Sequence, residues 1–102
     1  MHPIVESKRE EVASLCRQFG VKRLEVFGSA VRDDFDEMRS DVDLLVEFGE
    51  RADMRGLGPY FDLKDALERL FARHVDLVEA GAVRNPYVRA DIDRYRQLLY
   101  AA

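Results

Sequence analysis

Apolar residues alternate with polar ones across the middle of the chain, from Asp41 to Phe48, with Leu45 as the one exception. Such alternation is typical of a β-strand with one buried face, because successive side chains of a strand point to opposite faces. Every second residue from Val42 to Phe48 is apolar, whereas Asp41 and Asp43 fall on the other face. The pattern therefore predicts a strand that displays two carboxylates side by side.

The rest of the chain divides into segments of helical and extended character. Apolar residues recur at helical spacing in three segments, and short apolar runs indicate two further strands. Gly20 and Asn85-Pro86 are typical of a helix C-terminus and of a helix N-terminus, respectively. The predicted elements are, in order, a helix from Ile4 to Phe19, a strand from Lys22 to Phe27, a short helix beginning at Ser29, a strand from Asp41 to Phe48, a helix from Tyr60 to Arg73, a strand from His74 to Glu79 and a last helix that follows Asn85-Pro86 and includes Leu99. This order predicts an α/β fold, a small mixed β-sheet with helices packed on it.

Length and composition predict a single domain over residues 1–102. The chain has 102 residues, of which 47% are hydrophobic, enough for one modest core. No apolar run approaches the roughly 18 residues that a membrane-spanning helix needs, and the first residues do not resemble a secretion signal. Cys16 falls among the apolar positions of the first helix, so we expect a buried thiol and a cytoplasmic protein.

The charge distribution counts against a nucleic-acid partner. There are 16 basic and 20 acidic residues, which gives a net charge of −4, and no stripe of basic residues is present. Proteins bind the phosphate backbone of nucleic acids mainly through lysine and arginine. We therefore expect neither a DNA nor an RNA template.

The two aspartates of the central strand indicate a cation site. Asp41 and Asp43 carry like charges that repel each other at neutral pH unless something neutralises them. Mg²⁺ suits this position, since it prefers oxygen ligands from one or two carboxylates together with substrate phosphates. The alternative for this tripeptide alone is a pair of solvated acids beside a turn.

A third acid strengthens the interpretation. Asp76 lies on the polar face of the strand predicted from His74 to Glu79. If this strand lies beside the Asp41–Asp43 strand, three carboxylates converge, enough to hold two cations about 3.5–4 Å apart for in-line phosphoryl displacement. We interpret His74 itself as a residue at the end of a helix, where the helix dipole favours it, and not as a catalytic base.

Gly28, Ser29 and Arg32 predict a phosphate-binding turn between the first two strands. Gly28 permits a sharp turn and a close approach of the backbone to a ligand. Ser29 is a candidate N-cap, and backbone N–H groups at the start of a helix favour phosphate. The guanidinium of Arg32, one helical turn beyond Ser29, suits phosphate oxygens.

Together these motifs resemble the signature of the DNA polymerase β superfamily of nucleotidyltransferases. The resemblance rests on Gly28-Ser29, Arg32, the run Ser40-Asp41-Val42-Asp43-Leu44, and Asp76 in Val-Asp-Leu-Val. The small size resembles the minimal nucleotidyltransferases, the MntA-like antitoxins that pair with HEPN-domain toxins. The chain departs from the usual pattern at Asp33, where members commonly have glycine after the arginine.

The resemblance implies a polymerase-β-type core and a defined reaction. ATP would bind with its phosphates on Gly28, Ser29 and Arg32, while Asp41, Asp43 and Asp76 would be the catalytic and metal-binding residues for two Mg²⁺ ions. AMP would then pass to a hydroxyl, expected to be a tyrosine, of a HEPN-type toxin that this AMPylation silences. With only one predicted helix after the third acid, the sequence offers little to enclose an acceptor, which favours a protein acceptor.

Two alternatives stay open at this stage. One is a non-catalytic antitoxin that neutralises its toxin by direct binding, with the three acids serving only structure. The other is a nucleotidyltransferase that modifies a small molecule such as an aminoglycoside and completes its pocket by forming a homo-oligomer.

Overall fold

The computed structural model describes residues 1–31, 36, 38–49 and 58–102. The helices and strands are α1 (Pro3–Glu6), α2 (Arg9–Gln18), β1 (Val21–Phe27), β2 (Val42–Phe48), α3 (Gly58–Phe71), β3 (Val75–Glu79), α4 (Pro86–Tyr95) and β4 (Gln97–Ala101), with short 3₁₀ helices at Gly28–Ala30 and Ala80–Ala82. No helix of these residues has the length and apolar character needed to cross a membrane.

The four strands form one mixed sheet in the order β3-β2-β1-β4. Strand β1 pairs antiparallel with both β2 and β4, whereas β2 and β3 are parallel. Parallel neighbours need a crossover connection, and α3 supplies it between β2 and β3. The expectation of an α/β fold with a small mixed sheet is confirmed.

The main core lies on one face of the sheet, beneath α2 and α3. Leu44 of β2 is fully buried, as are its neighbours on the same face, and Leu63 and Leu67 of α3 pack in the same cluster. Cys16 of α2 is buried there as well, and desolvation raises the pKa of its thiol to about 12. The expected burial of Cys16 is confirmed.

Truncation of a core leucine tests how much this packing contributes. Leu67→Ala removes a fully buried side chain, so the free energy of unfolding should fall by about 2–5 kcal/mol. Leu98→Ala, at a side chain that is 43% exposed, should have a much smaller effect. Chemical denaturation monitored by circular dichroism measures both, and equal losses would contradict this assignment of the core.

The opposite face of the sheet is partly covered by the end of α4. Leu45 and Ile92 are buried but lie outside the main core cluster. Glu25 is paired in register with Leu45, and Arg96, just after α4, places its Nε 3.4 Å from Glu25 Oε2. Because paired residues of adjacent strands share a face, this ion pair joins α4 to the second face.

Two predicted helices differ from the structure. The helix predicted from Ile4 to Phe19 is divided into α1 and α2, because Lys8 leaves helical geometry with φ −106° and ψ 11°. The last predicted helix ends at Tyr95, and Leu99 belongs to β4 instead. Arg96 has extended backbone angles, φ −62° and ψ 142°, which end the helix and start the strand.

Candidate active site

Two neighbouring parallel strands, β2 and β3, bring the predicted acids to one end of the sheet. Asp43 of β2 is paired in register with Phe27, the last residue of β1, and with Asp76 of β3. Paired residues of neighbouring strands project from the same face, so the Asp43 and Asp76 side chains are lateral neighbours. Asp41 and Asp76 are exposed, whereas Asp43 is half-buried.

The turn after β1 lies directly against Asp43. Gly28 has φ +71°, a left-handed conformation that residues with a Cβ rarely adopt. A Cβ at this position would lie 2.1 Å from Asp43 Oδ2, far inside contact distance. Glycine is therefore required both by the backbone of the turn and by the space that the carboxylate occupies.

Ser29 differs from its predicted role as an N-cap. The 3₁₀ helix spans Gly28–Ala30, so Phe27 takes the N-cap position and Ser29 lies inside the helix. The turn is fixed instead by backbone bonds, since Val31 N–H donates to Gly28 O at 3.1 Å and His2 N–H donates to Ala30 O at 2.7 Å. Arg32, the third predicted phosphate ligand, lies outside the described residues.

Two hydrogen bonds join Asp36 to Ser40, the residue that precedes Asp41. Ser40 N–H donates to Asp36 O at 2.7 Å, and Ser40 Oγ accepts from Asp36 N–H at 2.9 Å. Arg73, just after α3, donates from Nη1 to Ser40 O at 3.4 Å. These bonds hold the backbone ahead of the first acid against the start of β3.

His74 contacts Asp41 at the start of the two parallel strands. His74 Nδ1 lies 3.2 Å from Asp41 Oδ2, and His74 Nε2 lies 4.0 Å from Glu68 Oε2 of α3. Sequence reasoning missed this contact and Glu68 altogether. The sequence does contain a signal for the contact with His74. His74 precedes Asp76 by two residues, just as Asp41 precedes Asp43, so the two segments have matching positions.

The carboxylates suit a hard divalent cation by their chemistry, since all three predicted ligands offer oxygen. The described residues nonetheless contain no group of three acidic, histidine or cysteine side chains close enough to hold a metal ion as they stand. The strand register places Asp43 and Asp76 side by side, whereas the Asp41 carboxylate contacts His74. The metal-binding roles of the three acids therefore stay predictions.

Related proteins with assigned activities match most of the chain. The Methanocaldococcus jannaschii protein MJ0128, provisionally assigned as a protein adenylyltransferase, is 39% identical over 85 residues, which cover 83% of each chain. The protein adenylyltransferase MntA of Thermococcus cleftensis is 39% identical over 71 residues, covering 70% of this chain and 68% of the relative.

Solved structures share the fold. A protein provisionally assigned as a minimal nucleotidyltransferase superposes with a TM-score of 0.75 at 37% identity, and the match covers 95% of both chains. A chain of the complex between the tri-AMPylated Shewanella oneidensis HEPN toxin and an MNT antitoxin superposes with a TM-score of 0.66 at 16% identity, covering 96% of this chain and 73% of that one. At that identity the second likeness concerns the fold alone.

The family assignment rests on a family model that matches most of the chain. The model of the nucleotidyltransferase domain family matches residues 8–99, a span that contains the glycine turn and all three acids. Together with a relative 39% identical over 83% of the chain, this match confirms the resemblance. This chain belongs to the nucleotidyltransferase domain family and is a minimal member of it.

Proposed function

We propose that this chain transfers AMP from ATP to a tyrosine hydroxyl of a HEPN-type toxin and thereby silences the toxin. The single observation that carries the proposal is the juxtaposition of Gly28, Asp43 and Asp76 at one end of the sheet. The protein adenylyltransferase activity assigned to the relatives supports AMP as the group transferred. The solved complex of an AMPylated HEPN toxin with an MNT antitoxin supports a toxin as the acceptor.

The reaction follows from the chemistry of a phosphoryl centre. A bond forms between the tyrosine oxygen and the α-phosphorus of ATP, and the bond from that phosphorus to the bridging oxygen breaks. Pyrophosphate leaves with the electron pair of the broken bond. Asp76, which is exposed, would orient the incoming hydroxyl, whose proton passes to bulk water.

The residues of the site would bind the cations and the triphosphate. Asp41, Asp43 and Asp76 would hold two Mg²⁺ ions, and the bound cations would neutralise charge on the attacking and leaving oxygens. Gly28 would let the triphosphate approach the backbone of the turn closely, because glycine carries no side chain. Ser29 and Arg32 would contact the phosphates.

A solvent-exposed site suits a protein acceptor. Asp41 and Asp76 are both exposed at the sheet end, so a tyrosine on the surface of another protein can reach them. A tyrosine side chain is long enough to present its hydroxyl while the toxin backbone stays outside the site.

Mass spectrometry of the partner tests the proposal directly. The chain is mixed with ATP, Mg²⁺ and a HEPN-type protein, and the intact masses of both proteins are recorded. We expect the partner to gain the mass of one or more AMP groups, and peptide mapping to locate them on tyrosine. The toxin's ribonuclease activity should fall in parallel.

The contrary results are equally specific. No AMP on any HEPN partner, despite a detectable complex, would contradict the proposed acceptor. Full neutralisation by an Asp43→Asn variant that transfers no AMP would show that binding alone silences the toxin.

A further inference from the structure

His74 and Asp41 are neighbours across two parallel strands, on the same face as Asp43 and Asp76. Val42 and Val75 are paired in register, and Val42 N–H donates to His74 O at 3.2 Å. Asp41 and His74 immediately precede this pair along the chain. They therefore lie opposite each other, as Asp43 and Asp76 do. The 3.2 Å contact between His74 Nδ1 and Asp41 Oδ2 follows from this arrangement.

The imidazole is itself supported from α3. Glu68 Oε2 accepts the N–H of Val75 at 3.0 Å, which fixes the first residue of β3 to the helix. The same oxygen lies 4.0 Å from His74 Nε2. Glu68 follows the fully buried Leu67, so it is held by a helix that is anchored in the core. A chain of contacts therefore runs from the core through Glu68 and His74 to Asp41.

Asp41 has few other restraints among the described residues. It precedes the first residue of β2, and its side chain is 53% exposed. A carboxylate has two oxygens, so a contact through Oδ2 leaves Oδ1 to take a cation. Groups that hydrogen-bond to metal-binding side chains orient them, and removal of such a group typically costs 10–100-fold in metal affinity.

From this geometry we propose that His74 is a positioning residue, which holds the Asp41 carboxylate on the sheet face that carries Asp43 and Asp76, where a cation would draw the three carboxylates together. The proposal rests on the proposed function, because it presupposes that Asp41 is a metal ligand. It assigns His74 no part in proton transfer. Stability alone is a poor test of it, since even a fully charged exposed pair contributes only about 0–1 kcal/mol.

Three variants distinguish the contributions of the two ring nitrogens of His74. His74→Ala removes both contacts. His74→Asn keeps an amide nitrogen at the position of Nδ1, beside Asp41, and His74→Gln keeps one at the position of Nε2, towards Glu68. If orientation of Asp41 is what matters, asparagine should rescue the alanine variant and glutamine should not.

The experiment measures Mn²⁺ binding to the full chain in the presence of a non-hydrolysable ATP analogue, with free Mn²⁺ counted by electron paramagnetic resonance. We expect His74→Ala and His74→Gln to weaken Mn²⁺ binding about tenfold and His74→Asn to bind within about threefold of the unmodified chain. In AMP-transfer assays the loss in His74→Ala should be recovered at high Mg²⁺. Thermal denaturation checks that each variant is folded, and if the alanine variant does not fold, the asparagine–glutamine pair decides.

Asp43→Asn separates failure of this inference from failure of the proposed function. If Asp43→Asn leaves Mn²⁺ binding unchanged, the proposed metal site is wrong. If Asp43→Asn weakens binding while His74→Ala binds as tightly as the unmodified chain or more tightly, the metal site stands and the role of His74 is overturned. Equal weakening in the asparagine and alanine variants would also overturn it.

Discussion

Replacing Asp43 with asparagine is expected to lower AMP transfer by about a thousandfold while the chain stays folded. Asp43 occupies the centre of the site, between the Gly28 turn and Asp76. Cations held there would contribute several kcal/mol to stabilisation of the transition state, and each 1.4 kcal/mol changes the rate about tenfold. Asparagine keeps the shape of the side chain but removes its charge, so the loss should appear in the rate at saturating ATP.

Glu47→Gln is the matched control for Asp43→Asn. Glu47 lies on the same strand and the same face, four residues further on, and its only described ion pair, with Lys22, has an N···O distance of 3.5 Å. The control should transfer AMP at the unmodified rate, as measured by radiolabel from α-labelled ATP. Comparable rates for the two variants would mean that the charge of Asp43 takes no part in the reaction.

Gly28→Ala is expected to give the second large effect, through geometry and not through charge. The added methyl group would lie 2.1 Å from Asp43 Oδ2, so the carboxylate or the turn must move. The left-handed backbone at φ +71° adds about 1–2 kcal/mol of strain for a residue with a Cβ. We expect AMP transfer per folded molecule to fall at least about a hundredfold, because a misplacement of about 1 Å can cost that much.

Gly20→Ala separates backbone strain from displacement of the carboxylate. Gly20 also has a left-handed backbone, with φ +72°, but it precedes β1 and lies at the opposite end of that strand from Phe27. Gly20→Ala should lose stability through backbone strain in thermal denaturation and keep its activity. If Gly28→Ala retained full transfer, or if both variants lost activity equally, the close approach of Gly28 to Asp43 would have no functional meaning.

Much of the site-bearing half of the fold could be predicted because its signals are local. The alternation after Asp41 predicts β2 and its buried face, and the strands β1, β2 and β3 end at the predicted residues Phe27, Phe48 and Glu79. A two-residue period sets the face of each side chain with no tertiary information. The sequence alone does not place β3 beside β2; this parallel pairing is seen in the structure.

The missed elements depend on contacts that the local pattern does not encode. Ile92, Tyr95 and Leu99 fit helical spacing, and neither glycine nor proline follows Tyr95 to end the helix. The edge of β1 that does not pair with β2 decides whether this segment is helical or extended, because that edge pairs with Leu98 and Tyr100 in β4. The segment is therefore extended, and its backbone hydrogen bonds go to β1 instead of forming another helical turn.

The contact between His74 and Asp41 shows where pattern reasoning stopped at the site. A histidine after an amphipathic helix is explained well enough by the helix dipole, so nothing in the local sequence required a partner. Only the register of β2 on β3 brings it beside Asp41. The phosphate-binding role predicted for Ser29 likewise concerns a 3₁₀ turn that is joined to a distant part of the chain, since His2 N–H donates to Ala30 O.

Anomalous X-ray diffraction from crystals grown with Mn²⁺ and a non-hydrolysable ATP analogue tests the central claim most directly. Two Mn²⁺ peaks should appear between the triphosphate and the carboxylates of Asp41, Asp43 and Asp76, on the sheet face that carries His74. Nucleotide bound with no Mn²⁺ at these carboxylates, or with the metal held elsewhere on the chain, would contradict the account.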